Sequence, residues 1–362
     1  MFNREETVTF QDIKDHEKIV LWGAGSYTEE LIGMLGKDKI SAIYDSDKGK
    51  WSQTVCGIKI SDPSQNFERI VDNQTVIMIS VASYNYEIAK TLIDRWNIPE
   101  HRIFAFTHLF GEKYMYDVES IFANETKIQE ALSLLADGQS KEYFINTLKE
   151  RINRNPVYLR ENPCITGSYE YTCENGSVIT PQKGGLLLDC GAYIGDTAKL
   201  FLEKTGNACK IYAVEPLTGN YDRLHQWVIS EGLEDKVYPV HALLGDHDGE
   251  ERISSLTNTS VSSSIENEGS ISNMVPVRKI DNLTDEKISF IKMDIEGAEI
   301  NALKGAAETI RREKPQMIIS AYHRTRHMWE IPLLIKEIEP AYKIFCGHQQ
   351  NAAFEPEYYV TV

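Results

Sequence analysis

The chain has 362 residues, of which 42% are hydrophobic and 25% are charged, a composition typical of globular proteins. This length exceeds what a single hydrophobic core usually supports, so two domains are expected. The formal charge of -16 at pH 7 excludes nucleic-acid or anionic-membrane binding as the main task, because most of the surface would repel phosphates.

The first 111 residues predict a small Rossmann-like α/β domain. A strand at 18–22 leads through Gly23-Ala24-Gly25 into a helix, and a second strand ends at Asp45, twenty residues after Gly25. That spacing suits a dinucleotide site, although Thr28 stands at the third glycine position. Further strands are predicted at 76–81 and 102–106.

This segment resembles the small Rossmann-like domains that precede sugar-modifying enzymes of surface-polysaccharide pathways. The matching features are Trp22-Gly23-Ala24-Gly25 and Gly57-Ile58-Lys59-Ile60. Two roles stay open for it: binding of a nucleotide or nucleotide-sugar, and a purely structural or acceptor-presenting role. A structural role is enough to explain Gly23 and Gly25, because close packing of a strand on a helix by itself requires glycines in such a turn.

Residues 112–165 predict a helical connector between two domains. Ile128, Ala131 and Leu135 keep helical spacing, and Tyr143 and Phe144 resume it after Gly138. Turn signals around 160–164 and 174–177 then predict loops at the entrance to a third segment, 166–362.

The most informative segment of the chain begins at residue 186. The apolar run 186–188 leads into Asp189-Cys190-Gly191-Ala192-Tyr193-Ile194-Gly195, and a second apolar run at 211–214 ends in Glu215. This pattern predicts a strand, a tight turn and a helix, with the carboxylate of Glu215 placed to accept hydrogen bonds from both hydroxyls of a ribose. The turn lacks the three glycines of a pyrophosphate site. An acid in the turn favours a cofactor with a cationic amino-acid end, S-adenosylmethionine, over NAD.

A second acidic strand end follows at residue 294. The run 288–293 is apolar apart from Ser289 and Lys292, and it ends in Asp294-Ile295-Glu296-Gly297 before a helix. Because ligands of open α/β sheets bind at the carboxyl ends of the strands, Asp294 and Glu296 should face the same crevice as Asp189 and Glu215. Glu299 and Lys304 are expected on a solvated helix face.

The same region resembles the FkbM-type methyltransferases over residues 184–362. The resemblance is carried by 291–299, Leu303-Lys304-Gly305-Ala306, Lys314-Pro315 and 319–323. It implies a seven-stranded class I fold, S-adenosylmethionine as cofactor, and O-methylation of a hydroxyl, often on a sugar or another natural product. Carried over by position, it puts Glu215 on the ribose of the cofactor. It also places five residues around the methionine end: Asp189, Gly191, Ala192, Tyr193 and Gly195. Glu296 is grouped with these cofactor-binding residues.

A count of strands gives the same α/β architecture without the family. Seven are predicted, the last two as an antiparallel pair: 186–189, 210–214, 237–241, 288–293, 316–321, 342–346 and 357–362. The polar segment at about 250–275 is expected to be a surface connection, which either is mobile or covers the acceptor as a lid.

Methyl transfer to a hydroxyl requires a proton acceptor, and His323 and Asp294 are the two candidates. Asp294 and Glu296 could instead bind a divalent metal together with a histidine. Alternatively, one acid bonds the cofactor or acceptor while the other caps the helix that begins near 297. No metal ligand is assigned.

The remaining features concern location, partners and competing functions. Six scattered cysteines without a C-x-x-C pair predict free thiols in the cytoplasm, and no signal peptide or membrane-spanning segment is expected. The expected partner is a small-molecule or glycan acceptor, not nucleic acid; its identity and the oligomeric state stay open.

Two competing functions are an NAD-dependent sugar-modifying oxidoreductase or epimerase centred on Gly23, Gly25 and Asp45, and a non-catalytic nucleotide-binding scaffold. The oxidoreductase hypothesis is weakened because the sequence shows no second site suited to hydride chemistry. A non-catalytic scaffold would not need all four acidic residues Asp189, Glu215, Asp294 and Glu296.

Overall fold

The computed structural model describes residues 1–25, 27–81, 84–105, 116–159, 169–173, 175–255, 263–264, 271–348 and 356–362. The chain forms two compact units. The first contains Met1–Glu125, Glu142–Asn162 and Gln350–Pro356, and the second contains Thr126–Lys141, Pro163–Gln349 and Glu357–Val362. The sequence divides the chain into consecutive blocks at 111 and 165, whereas these units interleave, and the expected connector contributes to both.

The first unit is built on a six-stranded sheet of order β3-β4-β2-β1-β5-β6, in which only β3 runs antiparallel to its neighbour. Its strands are β1 (Ile19–Trp22), β2 (Ile40–Tyr44), β3 (Thr54–Val55), β4 (Ile58–Ser61), β5 (Val76–Ile79) and β6 (Ile103–Ala105). Its first four helices are α1 (Phe10–Lys14), α2 (Thr28–Leu35), α3 (Pro63–Ile70) and α4 (Asn85–Trp96).

Alternating side chains give this sheet a hydrophobic core on each face. Ile19 and Leu21 pack with Leu31 of α2 on one face, while Val20 and Trp22 pack with a second cluster on the other. Strands buried on both faces are typical of parallel sheets covered by helices, which explains the continuous apolar runs in this sequence.

Three helices follow: α5 (Val118–Ala123), α6 (Glu125–Leu134) and α7 (Gly138–Asn153). The predicted helical spacing is explained by burial of Ile128, Ala131 and Leu135. Gly138 is the first residue of α7. The loop predicted at 160–164 lies outside the described residues.

The second unit carries the seven-stranded sheet, in the order β11-β10-β9-β16-β17-β19-β18. A two-stranded ribbon, β7 (Tyr171–Thr172) with β8 (Val178–Ile179), precedes it. The strands of the large sheet are β9 (Leu186–Cys190), β10 (Lys210–Val214), β11 (Val237–Val240), β16 (Ile288–Met293), β17 (Gln316–Ser320), β18 (Lys343–Gly347) and β19 (Glu357–Thr361). The helices are α8 (Asp196–Thr205), α9 (Thr218–Ser230), α10 (Glu299–Lys304), α11 (Ala307–Glu313) and α12 (His327–Ile338).

The prediction of seven strands with a closing antiparallel pair is confirmed. Strands β11, β10, β9, β16 and β17 are parallel, and β19 runs antiparallel to both β17 and β18. The carboxyl ends of β9, β10 and β16 therefore meet at one edge of the sheet, where the acidic residues of the sequence motifs follow them.

The surface connection expected at 250–275 contains strands that the sequence analysis did not predict. A smaller four-stranded sheet of order β12-β15-β13-β14 occupies this region. Its strands are β12 (Leu243–Leu244), β13 (Gly249–Ser255), β14 (Ser263–Ser264) and β15 (Ile271–Arg278). Ile253 and Val275 pack on Leu217 and Leu243, which gives these polar strands one buried face. The remaining positions, 256–262 and 265–270, lie outside the described residues.

The longest helix of the described residues, α7, has 16 residues. Among the residues that the structure describes, no helix combines the length and hydrophobicity needed to cross a membrane.

Candidate functional site

The turn after β9 depends on two glycines in the left-handed region. Gly191 has φ of +80°, and a Cβ atom there would overlap the backbone carbonyl oxygen of Asp294. Gly195 has φ of +97°, and its Cβ would lie 2.5 Å from the ring of Trp227. Only glycine therefore lets this turn pass so close to the loop after β16 and to helix α9.

A cavity of about 200 Å³ opens beside this turn, and we call it the cofactor cavity. Five of the residues expected in the site line it: Gly191, Tyr193, Glu215, Asp294 and Glu296. Ala192 and Gly195 do not line it. Ala192 is fully buried in the hydrophobic core beneath the turn, and Gly195 is the N-cap residue that precedes α8.

Asp189 does not face the crevice, which corrects the sequence-based expectation. Its side chain is fully buried, and its Oδ1 lies 3.1 Å from Nζ of the buried Lys292. Lys292 also donates a hydrogen bond of 2.8 Å to the carbonyl oxygen of Gly191. The two residues pair because a charge buried in a strand requires a partner of opposite charge. Through the bond from Lys292 to Gly191, this buried pair stabilises the turn from the side away from the crevice.

The protonation of this pair follows from burial and mutual attraction. Burial raises the pKa of Asp189 to about 6, and the charge of Lys292 limits that rise. Burial opposes the charged form of Lys292, but Asp189 outweighs it and holds the pKa of the lysine above its usual range. Both groups are therefore charged at neutral pH.

Glu215 occupies the position after β10, and its carboxylate is oriented by its own chain. Oε2 accepts a hydrogen bond of 3.0 Å from the backbone N–H of Tyr193, and Oε1 accepts one of 3.0 Å from that of Leu217. Nδ2 of Asn220 donates a third at 3.2 Å. Burial raises the pKa of Glu215 to about 7, while these three donors favour the ionised form.

The loops after β16 and β17 bring together two carboxylates, a tyrosine and a histidine. The hydroxyl of Tyr322 donates a hydrogen bond of 2.9 Å to Oδ1 of Asp294. Nε2 of His323 lies 3.4 Å from Oδ1 of Asp294 and 3.5 Å from Oε2 of Glu296. The histidine is almost completely buried behind the two carboxylates, which are partly exposed.

Glu299 belongs to this cluster, which corrects its expected place on a solvated helix face. The side chain is fully buried, with Oε1 2.9 Å from Nδ1 of His323 and Oε2 3.3 Å from Nδ1 of His327. Oε1 also accepts a hydrogen bond of 3.1 Å from the backbone N–H of Ile295. Glu299 is the first residue of α10, whose first turn faces the loop after β16.

Mutual attraction sets the protonation of the buried cluster. Burial favours neutral Glu299, but His323 and His327 lower its pKa to about 2. Burial likewise opposes protonation of His323, yet Glu299, Glu296 and Asp294 raise the pKa of the histidine to about 9. Burial raises the pKa of Glu296 to about 8, against the opposing effect of His323. His323 is thus an imidazolium at neutral pH.

Asp294, Glu299 and His323 each offer one ligand atom, and these atoms lie within 4.8 Å of one another. Such a donor set can hold a divalent cation. However, Glu299 and His323 already lie within ion-pair distance of each other, at 2.9 Å. An ion pair therefore accounts for the arrangement without a cation.

A larger groove of about 920 Å³ adjoins the cofactor cavity, and we call it the acceptor groove. The two share Leu243, Ile295 and Glu296 as lining residues. Both are formed entirely by residues of the second compact unit. A molecule in the groove would therefore reach the cofactor cavity at Glu296.

The sequence reasoning missed Lys292, Glu299, His327 and Tyr322 as members of the site. Lys292 could have been identified from the sequence, since a lysine inside an apolar strand requires a buried partner. The other three could not, because their inward orientation depends on how short loops place α10 and α12.

In the first unit, local structure accounts for the glycine turn and Asp45. A Cβ at Gly23 would overlap the side chain of Val81. Oδ2 of Asp45 accepts hydrogen bonds of 2.8 Å from the backbone N–H of Ala24 and 3.0 Å from Nζ of Lys50. The position where a ribose would bind is thus engaged by the chain itself.

Comparisons with known proteins follow the same division of the chain. The family model described as methyltransferase FkbM domain matches residues 189–343. A second model, described as C2185-like, N-terminal, matches residues 15–104. No curated protein matches the chain.

Three solved structures are similar to different extents. Methyltransferase FkbM from Methylobacillus flagellatus KT aligns with a TM-score of 0.68 and 20% identity, over 95% of this chain and 90% of that one. A SAM dependent methyltransferase from Aquifex aeolicus aligns with a TM-score of 0.31 and 15% identity, over 51% and 86%. Aeropyrum pernix fibrillarin, solved with bound S-adenosyl-L-methionine, gives a TM-score of 0.33 and 12% identity, over 50% and 67%. Residues 189–343 thus match the methyltransferase FkbM domain, and they lie within the unit that carries the seven-stranded sheet.

Proposed function

We propose that the second unit binds S-adenosylmethionine in the cofactor cavity and methylates a hydroxyl of a sugar, a polysaccharide precursor or another natural product. The observation that carries this proposal is the carboxylate of Glu215, held by two backbone N–H groups at the end of β10 beside the Gly191 turn. A carboxylate fixed in that place can accept hydrogen bonds from both hydroxyls of a ribose.

The other polar groups of the cavity suit the same cofactor. Oδ1 of Asn220 is buried and has no hydrogen-bond partner among the described residues, and Asn220 lines the cavity. A ligand with N–H or O–H donors would satisfy it. Asp294 and Glu296 line the cavity with carboxyl groups that can accept hydrogen bonds from the cationic amino-acid end of the cofactor.

Backbone strain also occurs at the lining of this cavity. Tyr193 has φ of +49° and Glu296 has φ of +56°, in the left-handed region that non-glycine residues rarely adopt. Each such residue costs of order 1–3 kcal/mol and tends to be found where function requires its geometry. Strain in two separate loops around one cavity therefore supports a ligand site there.

When bound, S-adenosylmethionine supplies a methyl group on a positively charged sulfur. The chain itself must align the acceptor hydroxyl and remove its proton. Glu296 lies on the wall shared by the two cavities and has a pKa of about 8, close to the range in which a base works at neutral pH. We therefore assign proton acceptance to Glu296, with Asp294 as the second candidate.

His323 has a different role in this proposal from the one the sequence suggested. As an imidazolium it has no free nitrogen lone pair with which to accept a proton. Its charge instead lies between Glu299 and the two partly exposed carboxylates and favours the ionised form of Glu296. We assign His323 as a positioning residue for Asp294 and Glu296.

For the first unit we propose a structural role. The ion pair between Asp45 and Lys50, which has no counterpart at Glu215 among the described residues, argues against the NAD-dependent oxidoreductase centred there. The paired and hydrogen-bonded acids of the second unit argue against a non-catalytic scaffold, which would not need them. A cytoplasmic location remains part of the proposal, based on the scattered cysteines.

Isothermal titration calorimetry tests the proposed function. The wild type should bind S-adenosylmethionine and S-adenosylhomocysteine with micromolar affinity and should not bind NAD comparably. Glu215→Gln should weaken both by about tenfold or more, since a hydrogen bond to a charged group contributes about 1.5–3 kcal/mol. Glu231→Gln, at an exposed position after α9, is the matched control. Binding of NAD alone would contradict the proposal.

A further inference from the structure

We infer that the methyl acceptor carries an oxyanion, either a carboxylate or a phosphate, and that the cations of the acceptor groove hold it beside the hydroxyl to be methylated. This inference rests on the proposed function, because it names the acceptor class of the same site. It is drawn from the position of the groove, from its charge and from the placement of Arg324.

The groove is placed and sized for an acceptor larger than one sugar ring. It meets the cofactor cavity at Ile295 and Glu296, so one end of its occupant lies at the assigned proton acceptor. Its volume of about 920 Å³ is near the upper end of the range for small-molecule pockets. The remainder of the acceptor would therefore extend along α12, past Leu333 and Leu334.

The charge of the groove differs from that of the whole chain. The chain has 54 acidic and 38 basic residues. Five basic residues nevertheless line the groove: Lys127, Lys304, Arg324, Arg326 and Lys336. The acidic lining consists of Glu130, Glu296, Glu330 and Glu337, of which Glu296 belongs to the reacting end. Away from the reacting end the lining thus has five basic against three acidic residues, and this small excess of positive charge favours anions in the cleft of an otherwise acidic protein.

The basic residues differ in how far the chain already engages them. Nε of Arg326 lies 3.4 Å from Glu330, and Nζ of Lys336 donates a hydrogen bond of 2.9 Å to the carbonyl oxygen of Pro340. In the part of the chain that the structure describes, Lys127 and Lys304 have no carboxylate within ion-pair distance. Both lysines are exposed, and although Lys304 lowers the pKa of Asp246 through its charge, a ligand would not have to break an ion pair to reach either of them.

Arg324 lines the groove beside the reacting end. A Cβ atom at Gly297 would lie 3.0 Å from its Nε, so the guanidinium lies against the backbone of the residue that follows Glu296. Gly297 has φ of +101° and, without a side chain, leaves space for this approach. A planar guanidinium binds carboxylates and phosphates through two parallel hydrogen bonds. An oxyanion on Arg324 would thus be adjacent to the hydroxyl facing Glu296.

Three probes of one sugar scaffold test this inference: glucose, glucuronate and glucose 6-phosphate. Each is titrated calorimetrically into protein saturated with S-adenosylhomocysteine, at low and at high salt. We expect at least one anionic probe to bind tenfold or more tightly than glucose, with an advantage that falls as salt rises. Preference for glucuronate or for glucose 6-phosphate distinguishes a carboxylate from a phosphate acceptor.

Variants then locate the binding. Lys304→Gln and Arg324→Gln should each weaken the preferred anion about tenfold, while Lys199→Gln, at an exposed position of α8, should not. Because Lys304 and Lys127 are exposed, Lys304→Gln and Lys127→Gln keep the test decisive if Arg324→Gln fails to fold. The inference is overturned if all three probes bind with equal affinity, or if these substitutions leave the affinity for the anions unchanged.

The titration of S-adenosylhomocysteine itself separates the two proposals. If it binds and the anions do not, the acceptor class is wrong while the proposed function stands. If the anions bind in the groove and neither S-adenosylhomocysteine nor S-adenosylmethionine binds, the proposed function fails and the anion site stands.

Discussion

Oε1 of Glu299 lies 2.9 Å from Nδ1 of His323, and both side chains are withdrawn from solvent. The pair joins the loop after β16 to the loop after β17, because Glu299 also accepts a hydrogen bond from Ile295. Asp294 and Glu296, which line the cofactor cavity, therefore lie against one buried ion pair. Such a pair is costly to desolvate, and losing one partner leaves an uncompensated buried charge.

Glu299→Gln should lower the free energy of unfolding at pH 6 by about 3 kcal/mol, because it leaves His323 without its main counter-charge. Urea unfolding followed by tryptophan fluorescence measures the change. Glu203→Gln, on the exposed face of α8, is the matched control and should stay within about 0.5 kcal/mol of the wild type.

The pH dependence of that difference identifies the pair as ionic. The pKa of Glu299 falls from 4.5 to about 2 on folding, so its contribution is complete above pH 4.5 and is lost as pH falls towards 2. The pKa of His323 rises from 6.5 to about 9, so its contribution is complete below pH 6.5 and is lost as pH rises towards 9. The difference between wild type and Glu299→Gln should be largest between pH 4.5 and 6.5. A difference that is constant from pH 3 to 9.5 would show a neutral hydrogen bond instead.

The sequence predicted the framework of the large sheet because its strands are short apolar runs followed by glycine turns or acids. This pattern is present in β9 and β16, which are buried on both faces, and in β10, where Lys210 is exposed and Tyr212 is half-buried. It failed for β13 and β15, because their apolar side chains are few and only one face of the small sheet packs on the core.

The sequence predicts which strand ends form the site. It does not predict which way the side chains at those ends point. Glu215 and Asp294 follow their strands directly and lie where the topology requires. Asp189 lies within the strand instead, and its neighbour in the sheet is Lys292. Whether Glu299 faces inwards depends on the rotation of α10, a helix of six residues that the loop before it positions. No pattern of residues in the sequence encodes that rotation.

Lys292→Met should lower the free energy of unfolding by about 3–5 kcal/mol, because Asp189 would remain buried without a counter-charge. Adding Asp189→Asn should recover part of that loss, since the double variant buries no charge. A thermodynamic cycle from the two single variants and the double variant gives the coupling directly. Additive losses would show that Lys292 acts mainly through its hydrogen bond to the carbonyl oxygen of Gly191.

Methyl transfer should accelerate with rising pH up to about 8 and then level off. Glu296 must be ionised to accept a proton, and its raised pKa of about 8 delays ionisation until that range. Measurement of kcat/KM from pH 6 to 9 with a defined acceptor gives the profile. Glu296→Gln should abolish this rise and lower kcat by at least about a hundredfold, the usual contribution of a general base. Persistence of the same pH dependence in Glu296→Gln, with its loss in Asp294→Asn, would transfer the role to Asp294.

Gly191→Ala should destabilise the protein far more than Gly184→Ala, although the two glycines have φ of +80° and +77°. At Gly184 no atom lies within 4 Å of the added Cβ, so only the left-handed backbone opposes alanine, at about 1–2 kcal/mol. At Gly191 the Cβ would also overlap the carbonyl oxygen of Asp294, which separates β9 from β16 and adds about 1–3 kcal/mol. Urea unfolding of both variants measures the difference, and calorimetry with S-adenosylhomocysteine measures its effect on the cofactor cavity. Equal losses of stability would mean that the two strand ends can move apart without cost, and the close approach at Asp294 would then have no part in shaping the site.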